Sequence, residues 1–521
     1  MKKDLRQSTT SAIFLVFTSN VLSKIMGFLL VLVLAAKVGT SGEGDAYAFA
    51  FILPDLVNHL LAGSAMSIAF IPVFQELAAN SERQNRFFSN IFTVGTLIFV
   101  LFISVCFIFA PHFIKILAGN SITSDQNVYL LTVKLTRIVL PAQLFFFWGS
   151  VFIGIQQANR NYRFSSLAPI IYDTAIILFG FFLYKRLGIS AFSWGVLIGA
   201  FSGHALLQFL GAKRFRVSYS PVIDLSDFDF KQWFYKTVPL MLGLGITFSN
   251  EFTFRFFGSR VDSGQGSIAA LNYAYKIVMI IVALFASSVA APIYPFLCEQ
   301  ASKKNYAEME KILVPIFAKT AAAVIVVSAL IYPVSKDVIS LLFLRKAFDA
   351  HSAALTASAL TGYLPGVFFL SCVIILQRLF YAVKDTLTPL VISTVSLLLS
   401  VPFYKILGNL WGISGISAAA SVFSALATVM IAARWYKFYP ESALAGVLKP
   451  IFISLLTAFL AVIIEIYTSK FIESFGFARI LRLCVVIFPA LLFSIISLNA
   501  FGVIKISQIT AVIMRKFSKK R

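Results

Sequence analysis

Apolar runs of about 20 residues recur from residue 11 to residue 503, each nearly free of charge and long enough to cross a bilayer core of roughly 30 Å. A backbone in hydrocarbon has to satisfy its own N–H and C=O groups, and runs of this length do so as helices. Spans are expected near residues 11–36, 45–74, 89–111, 128–155, 165–184, 189–211, 237–258, 266–297, 312–333, 353–381, 386–406, 411–436, 446–468 and 480–503, about fourteen in all. Of the 521 residues 59% are hydrophobic and 13% charged, with a mean hydropathy of +0.88. In water that apolar excess would form aggregating patches. The expected fold class is an all-α polytopic membrane protein.

The first span carries no small-residue cleavage site and many spans follow it, so it is read as a retained helix and not a signal peptide. Cys106, Cys298, Cys372 and Cys484 lie in or beside apolar spans without CxxC spacing, which makes them core residues and not disulfide or metal positions. The net charge of +22 has no basic, aromatic-interleaved domain to hold it, so no nucleic-acid partner is expected. Lys and Arg instead concentrate in one set of loops and tails, as the positive-inside rule requires if both termini are cytoplasmic. The 212–236 linker (Lys213, Arg214, Arg216, Lys231, Lys236) and the tail RKFSKKR are suited to anionic headgroups.

An internal repeat sets the expected architecture. LPAQLFFFWGSVFIGIQQANRNYRFSSLAP begins at Leu140 and LPGVFFLSCVIILQRLFYAVKDTLTP at Leu364, about 224 residues later. AYAFAF…IPVFQE is echoed by NYAYKI…IYPFLCEQ at nearly the same offset. One fixed spacing predicts two parallel six-helix repeats around a central cavity, a common transporter plan with the substrate at the repeat interface. The predicted divisions are a first bundle over 1–211, a cytoplasmic linker over 212–236, a second bundle over 237–437, and two additional helices with a basic tail over 438–521.

Ionisable groups at membrane depth cost several kcal/mol unless they face protein or water, so they mark function. Lys24 lies deep in the first span and Lys276 in the eighth. Glu251 and Arg255 are spaced i,i+4 and can pair on one helix face. Asp45 opens the second span, where a helix N-terminus favours its charge. Asn58 and His59 follow Pro54 there, while Pro54 and the Gly63–Ser64 pair weaken the helix in a way that suits a bend lining a cavity. Lys134 and Arg137 read as interfacial. The first, second, seventh and eighth spans hold corresponding places in the two repeats, so their cations would meet in one cavity suited to phosphate or pyrophosphate. No GxxxxGK[ST] loop, metal-ligand cluster or nucleophile set is present, so no enzyme site is expected. Without an ATPase, transport would draw on the membrane potential, a coupling monovalent ion or consumption of product; no other cofactor is implied.

SKIMGFLLVLVLAAKVG…GDAYAFAFILPDLVNHLLAGSAMSIAFIPVFQEL resembles the opening helices of the MurJ (MviN) lipid II flippase family, part of the multidrug/oligosaccharidyl-lipid/polysaccharide exporter superfamily. The likeness continues through GIQQANRNYRFSSLAPIIYD, ALNYAYKI, AAPIYPFL, LFLRKAFDAHS and LFYAVKDTLTP. It implies fourteen helices, the last two forming a lipid-facing groove. Where that family reads Ser-Arg-x-x-Gly-Phe-x-Arg-Asp, this chain has Ser23, Lys24, Gly27 and Phe28, with Leu30 and Val31 in place of the second arginine and the aspartate. Asp-Ala-Phe is Asp45-Ala46-Tyr47, and Pro-Asn-Leu-x-Arg-Arg is Pro54-Asp55-Leu56-Val57-Asn58-His59. Glu-Gly-Ala-Phe becomes Gly63-Ser64-Ala65-Met66, and Tyr-Ala-Asp-Arg becomes Tyr273-Ala274-Tyr275-Lys276. Two of the family's four cavity cations are therefore kept as lysine.

The resemblance implies a flippase that moves an undecaprenyl-pyrophosphate-linked peptidoglycan precursor between leaflets of the bacterial cytoplasmic membrane by alternating access. It would work as a monomer beside cell-wall synthesis proteins. The expected pyrophosphate contacts are Lys24 and Lys276, with Ser23 and Arg255 in the substrate set. Asp45 and Asn58 are expected to orient sugar or peptide, Gly27, Pro54, Gly63 and Ser64 to bend or gate, and Glu251 and Asp173 to hold a coupling ion. The alternatives are a flippase for another undecaprenyl-linked glycan, a cation-coupled drug exporter, or a scaffold that has lost transport.

Overall fold

In the computed structural model of the chain, residues 9–61, 63–261, 264–473 and 479–503 are described. The basic tail falls outside them, as do the side chains of His59 and Ser64. The chain divides into two compact units, residues 1–272 with 345–352, and 273–344 with 353–521.

The first unit begins with α1 (Thr9–Val38), followed by a segmented stretch of α2 (Gly42–Ala50), α3 (Ile52–Leu61) and α4 (Gly63–Glu76). Next come α5 (Ser81–Leu117), the single turn α6 (Asn120–Thr123), α7 (Gln126–Val139), α8 (Ala142–Ala158), α9 (Ala168–Leu187) and α10 (Ser190–Gly199). A π-helical turn, Ala200–Leu206, leads into α11 (Leu207–Lys213), and α12 (Phe228–Gly258) follows. The division between units falls inside α13 (Ser267–Val282). In the second unit another π turn, Ala283–Ser287, precedes α14 (Ser288–Ser302), α15 (Tyr306–Ile331) and α16 (Ser335–Phe343). The remaining helices are α17 (Ala350–Ala382), α18 (Leu387–Phe438), α19 (Leu448–Glu473) and α20 (Arg479–Ala500).

Among the described residues eleven helical segments are long and apolar enough to span a membrane, against about fourteen expected. The difference has identifiable causes. α18 comprises two helices that meet at a kink at Gly412 (φ +61°, outside the helical region), and they hold the 386–406 and 411–436 spans as one segment. The 45–74 span is segmented, and α12, which holds the 237–258 span, is not among the eleven. Segmentation of the second span follows from Pro54. Proline has no N–H to give the carbonyl four residues back, and the helix breaks at Phe51. The Ala50 carbonyl accepts instead from Thr136 Oγ1 on α7 at 3.2 Å.

Small residues bring helices together where no hydrophobic force acts between them. A Cβ on Gly199 of α10 would lie 2.8 Å from the Tyr172 carbonyl oxygen of α9, and Gly195 and Gly203 are as tightly placed one turn away on either side. Within the second unit, Gly362 and Gly366 of α17 meet Ser417 and Ser421 of α18, and Ser421 Oγ donates to the Gly362 carbonyl at 2.7 Å.

Within the stretch expected as a cytoplasmic linker, 212–236, α11 runs to Lys213 and α12 starts at Phe228. Residues 214–227 form a strap on α5. Ser218 N donates to Asn85 Oδ1 (3.1 Å), Ser220 N to Ser89 Oγ (3.1 Å) and Asp224 N to Asn90 Oδ1 (3.0 Å). Arg86 pairs with Asp224 at 2.9 Å, and Arg83 grips Asp229 of α12 through two bonds of 2.6 and 2.8 Å. The Ser226 hydroxyl and Arg86 hold the Asp224 carboxyl below its ordinary value, so the clasp is ionised at neutral pH. The compact units also differ from the repeat-based bundles, because α12 packs on α3 and α4 in the first unit.

The two additional C-terminal helices pack on α15. Ala322, Val326 and Leu330 of α15 share a core with Ala461 of α19 and with Ala490 and Leu498 of α20. Glu310, 1% exposed, holds the turn before α19 by accepting from Trp435 Nε1 (2.6 Å), Ala443 N (2.5 Å) and the Ser442 hydroxyl. Glu310→Ala strands these buried donors and is expected to cost about 3 kcal/mol, against about 1 kcal/mol for Glu310→Gln. Thermal unfolding of the detergent-purified proteins checks this, and equal losses would rule out the charged anchor.

Candidate functional site

Asp45 sits in the first turn of α2, whose N-cap Ser41 accepts from Gly44 N at 3.4 Å. The fold carries its carboxylate to the start of α13, where Oδ2 accepts from Gly266 N (2.7 Å) and Oδ1 from Ala269 N (2.8 Å). The first amides of a helix have no internal acceptor, and the dipole there favours negative charge. Asp45 is 0% exposed. Expected to orient a headgroup, it is committed in this conformation to capping α13.

Arg255 has a comparable fate. On α12 it is 6% exposed, with Nη1 2.8 Å from Asp55 Oδ2 on α3 and Nη2 3.3 Å from Glu251 Oε2 one turn back. The i,i+4 pair read from the sequence is formed, and Asp55, 200 residues away in the chain, is its stronger partner. One guanidinium between two carboxylates offers no spare positive charge. Arg255, expected as a substrate contact, and Glu251, expected at a coupling-ion site, are bound to one another here.

Lys24 is exposed on α1, and Ser23 beside it is half-buried. α1 packs along α9, where a Cβ on Gly27 would stand 3.6 Å from Asp173 Oδ2. Lys24 and Gly27 are three apart and share a helix face, so Gly27 leaves room for the Asp173 carboxylate on the lysine's side of α1. Asn58 is half-buried one turn after the buried Pro54 on α3. Gly63 opens α4, with Ser64 next to it. Lys276 is half-buried on α13 in the second unit. Among the described residues neither Lys24 nor Lys276 has an ion-pair partner.

The first unit thus brings Asp55, Glu251 and Arg255 into one cluster and Gly27 against Asp173, while Asp45 serves a separate helix end. Two acids were missed by sequence reasoning. Asp55 was quoted only as a replacement for asparagine, and nothing local links it to Arg255. Glu465, in the middle of α19, is 0% exposed, and neither of its oxygens has a hydrogen-bond partner among the described residues. Its signal was a lone acid inside AVIIEIYTSK.

Apolar spanning helices, broken helices and ionisable groups held inside the fold define a multi-pass membrane protein. Solved structures agree on the fold. One of a "Lipid II flippase MurJ, inward closed conformation" superimposes with a TM-score of 0.77 at 23% identity, covering 94% of this chain and 98% of that one. An inward-facing multidrug-resistance transporter of the MATE family scores 0.65 at 14% identity, covering 81% and 96%.

The chain belongs to the family described as "Lipid II flippase MurJ", whose profile it matches over residues 34–486. The "Probable lipid II flippase MurJ" of Bdellovibrio bacteriovorus is 24% identical over 462 residues, 86% of each chain. That of Thermotoga maritima is 27% identical over 404 residues, 77% of this chain and 80% of the relative. The protein is accordingly a multi-pass protein of the bacterial inner membrane.

Double-mutant cycles by thermal unfolding in detergent test the Arg255 cluster. Arg255→Ala leaves two acids facing each other and is expected to cost about 3 kcal/mol. The Asp55–Arg255 coupling should exceed the Glu251–Arg255 coupling, as the 2.8 and 3.3 Å separations imply. A larger Glu251 coupling would reverse that ranking.

Proposed function

We propose that the chain is a lipid II flippase, carrying an undecaprenyl-pyrophosphate-linked peptidoglycan precursor from the inner to the outer leaflet. Membership of the MurJ family over residues 34–486 is the observation that carries this reading. The physical task is to take a polar, anionic headgroup through the protein while the prenyl tail stays in lipid. Fixed cations replace the water that the pyrophosphate loses.

Lys24 and Lys276 are the proposed pyrophosphate contacts. Their support is that both stand inside apolar spans without an ion-pair partner among the described residues, whereas Arg255 is neutralised by Asp55 and Glu251. A lysine at a helix centre costs about 3 kcal/mol in a bilayer, a cost that an anionic ligand offsets. Lysine supplies a point charge without arginine's planar fork, so recognition of the headgroup is electrostatic more than geometric. Ser23 and Asn58 add hydrogen-bonding groups near these helices, and the bend at Phe51–Pro54 together with Gly27, Gly63 and Ser64 supplies the hinge of alternating access.

The membrane potential or a monovalent-ion gradient supplies the energy, with Asp173 as an ion ligand and Glu251 as a second one in a conformation that frees it from Arg255. Both termini lie in the cytoplasm, where the basic loops meet anionic lipid. The protein acts as a monomer beside cell-wall synthesis proteins.

Complementation in bacteria depleted of their own lipid II flippase tests the reading. Wild type is expected to restore growth. Lys24→Ala and Lys276→Ala should fail at normal membrane levels, while Lys24→Arg and Lys276→Arg retain function. A wild-type chain that is made, inserted and inactive would remove the substrate assignment, and active alanine variants would remove the lysines from it.

A further inference from the structure

A cavity of about 520 Å³ lies in the first unit between α5, α8, the π turn with α11, and the start of the strap. It is larger than packing leaves by accident and within the 300–1,000 Å³ range of ligand sites. Two features of the chain open it. The π turn, Ala200–Leu206, interrupts the regular spiral between α10 and α11, as such turns do at functional sites. The strap, fastened to α5 by its backbone amides, stands across one side and contributes Val217 and Tyr219 to the wall.

Six aromatic side chains line the helical walls: Phe88, Phe92, Trp148, Phe152, Phe201 and Phe209. The polar tips in the wall are already engaged. Trp148 Nε1 donates to Thr96 Oγ1 at 3.0 Å, and the Tyr219 hydroxyl is 3.1 Å from Thr93 Oγ1. A sugar or peptide would find almost nothing to bond with here, whereas a hydrocarbon chain would meet apolar surface throughout. Lys213, the last residue of its span and itself exposed, is the one charged residue in the lining. Arg214 and Arg216 follow it at the strap's start, and the Arg214 guanidinium lies 4.6 Å from the Phe164 ring centre. Phe201, Leu206 and Phe209, each more than 40% exposed on a spanning segment, place the mouth toward lipid.

An apolar slot that opens to the bilayer with Lys213 at its edge, and Arg214 and Arg216 close behind it in the chain, fits an amphiphile of matching pattern. We propose that this cavity binds one acyl chain of an anionic phospholipid, whose phosphate is held by Lys213 with Arg214 and Arg216. The occupant braces the strap from beneath, where the strap joins α11 to α12. This site is separate from the proposed pyrophosphate contacts and does not depend on them.

Trp148 is a built-in reporter, because a brominated acyl chain beside it quenches its fluorescence. The full-length protein is reconstituted in phosphatidylcholine vesicles containing increasing brominated phosphatidylglycerol or brominated phosphatidylcholine. Trp148→Phe identifies the signal that belongs to Trp148. Half-maximal quenching is expected at a mole fraction of phosphatidylglycerol about fivefold lower than of phosphatidylcholine, the preference that one cation near an anionic headgroup supplies. Lys213→Gln, an exposed change that leaves folding intact, should remove most of that preference. Ala205→Phe, which fills the cavity, should remove the high-affinity quenching by either lipid.

Equal quenching by the two lipids in the wild-type protein would reduce the site to ordinary boundary lipid and overturn the proposal. Displacement of brominated phosphatidylglycerol by undecaprenyl phosphate at lower mole fraction than by unlabelled phosphatidylglycerol would also overturn it, by assigning the cavity to a prenyl chain. Quenching that prefers phosphatidylglycerol and survives in Lys213→Gln would remove the phosphate contact.

Discussion

Hydrocarbon offers no hydrogen bonds, so every helix end or break inside this protein has to be closed from within. Much of its polar chemistry does that work. Asp45 closes the start of α13 with two short bonds from backbone amides. Thr136 takes the carbonyl that Pro54 leaves open at Ala50, and Glu310 gathers the turn that launches α19. Each arrangement lets an α-helix stop or bend at a chosen place without exposing backbone to lipid. The broken second span depends on them, and so do the two C-terminal helices on α15.

The same constraint sorts the ionisable residues into two kinds. Arg255 is surrounded by its own counter-charges, and removing one partner would leave a half-buried charge uncompensated, which is where such clusters draw their structural strength. Lys24 and Lys276 have no ion-pair partner among the described residues. Fixed charges of one sign without counter-ions suit an anion that comes and goes, whereas a satisfied cluster suits a fold that stays. Arg255, by contrast, is held between Asp55 and Glu251.

The strap between α11 and α12 carries similar logic. Its amides are satisfied by Asn85, Ser89 and Asn90 of α5, so a segment without helix or sheet becomes a fixed wall. Behind it the π turn and six aromatic rings leave a slot with Lys213 at its edge. Bilayer lipid and protein chain meet there as complementary surfaces, and the strap's position becomes a quantity that lipid composition can influence.

Much of this was legible before any coordinates. Apolar runs of spanning length required helices, because an unpaired backbone in lipid costs more than any propensity returns. The quoted motifs marked the family. Pro54 marked where the second helix is weak, and the i,i+4 spacing of Glu251 and Arg255 marked a pair. Partnership across long stretches of chain was not legible. Asp55 reaches Arg255 over 200 residues and Asp45 reaches Ala269 over 224, and no local periodicity encodes either contact. The linker's basic residues were legible, but not the three side chains of α5 that hold it in place. Sequence determined which segments enter the membrane, since that follows from transfer free energy counted along the chain. Tertiary structure alone decided which buried charges are already satisfied, since that follows from distance in space.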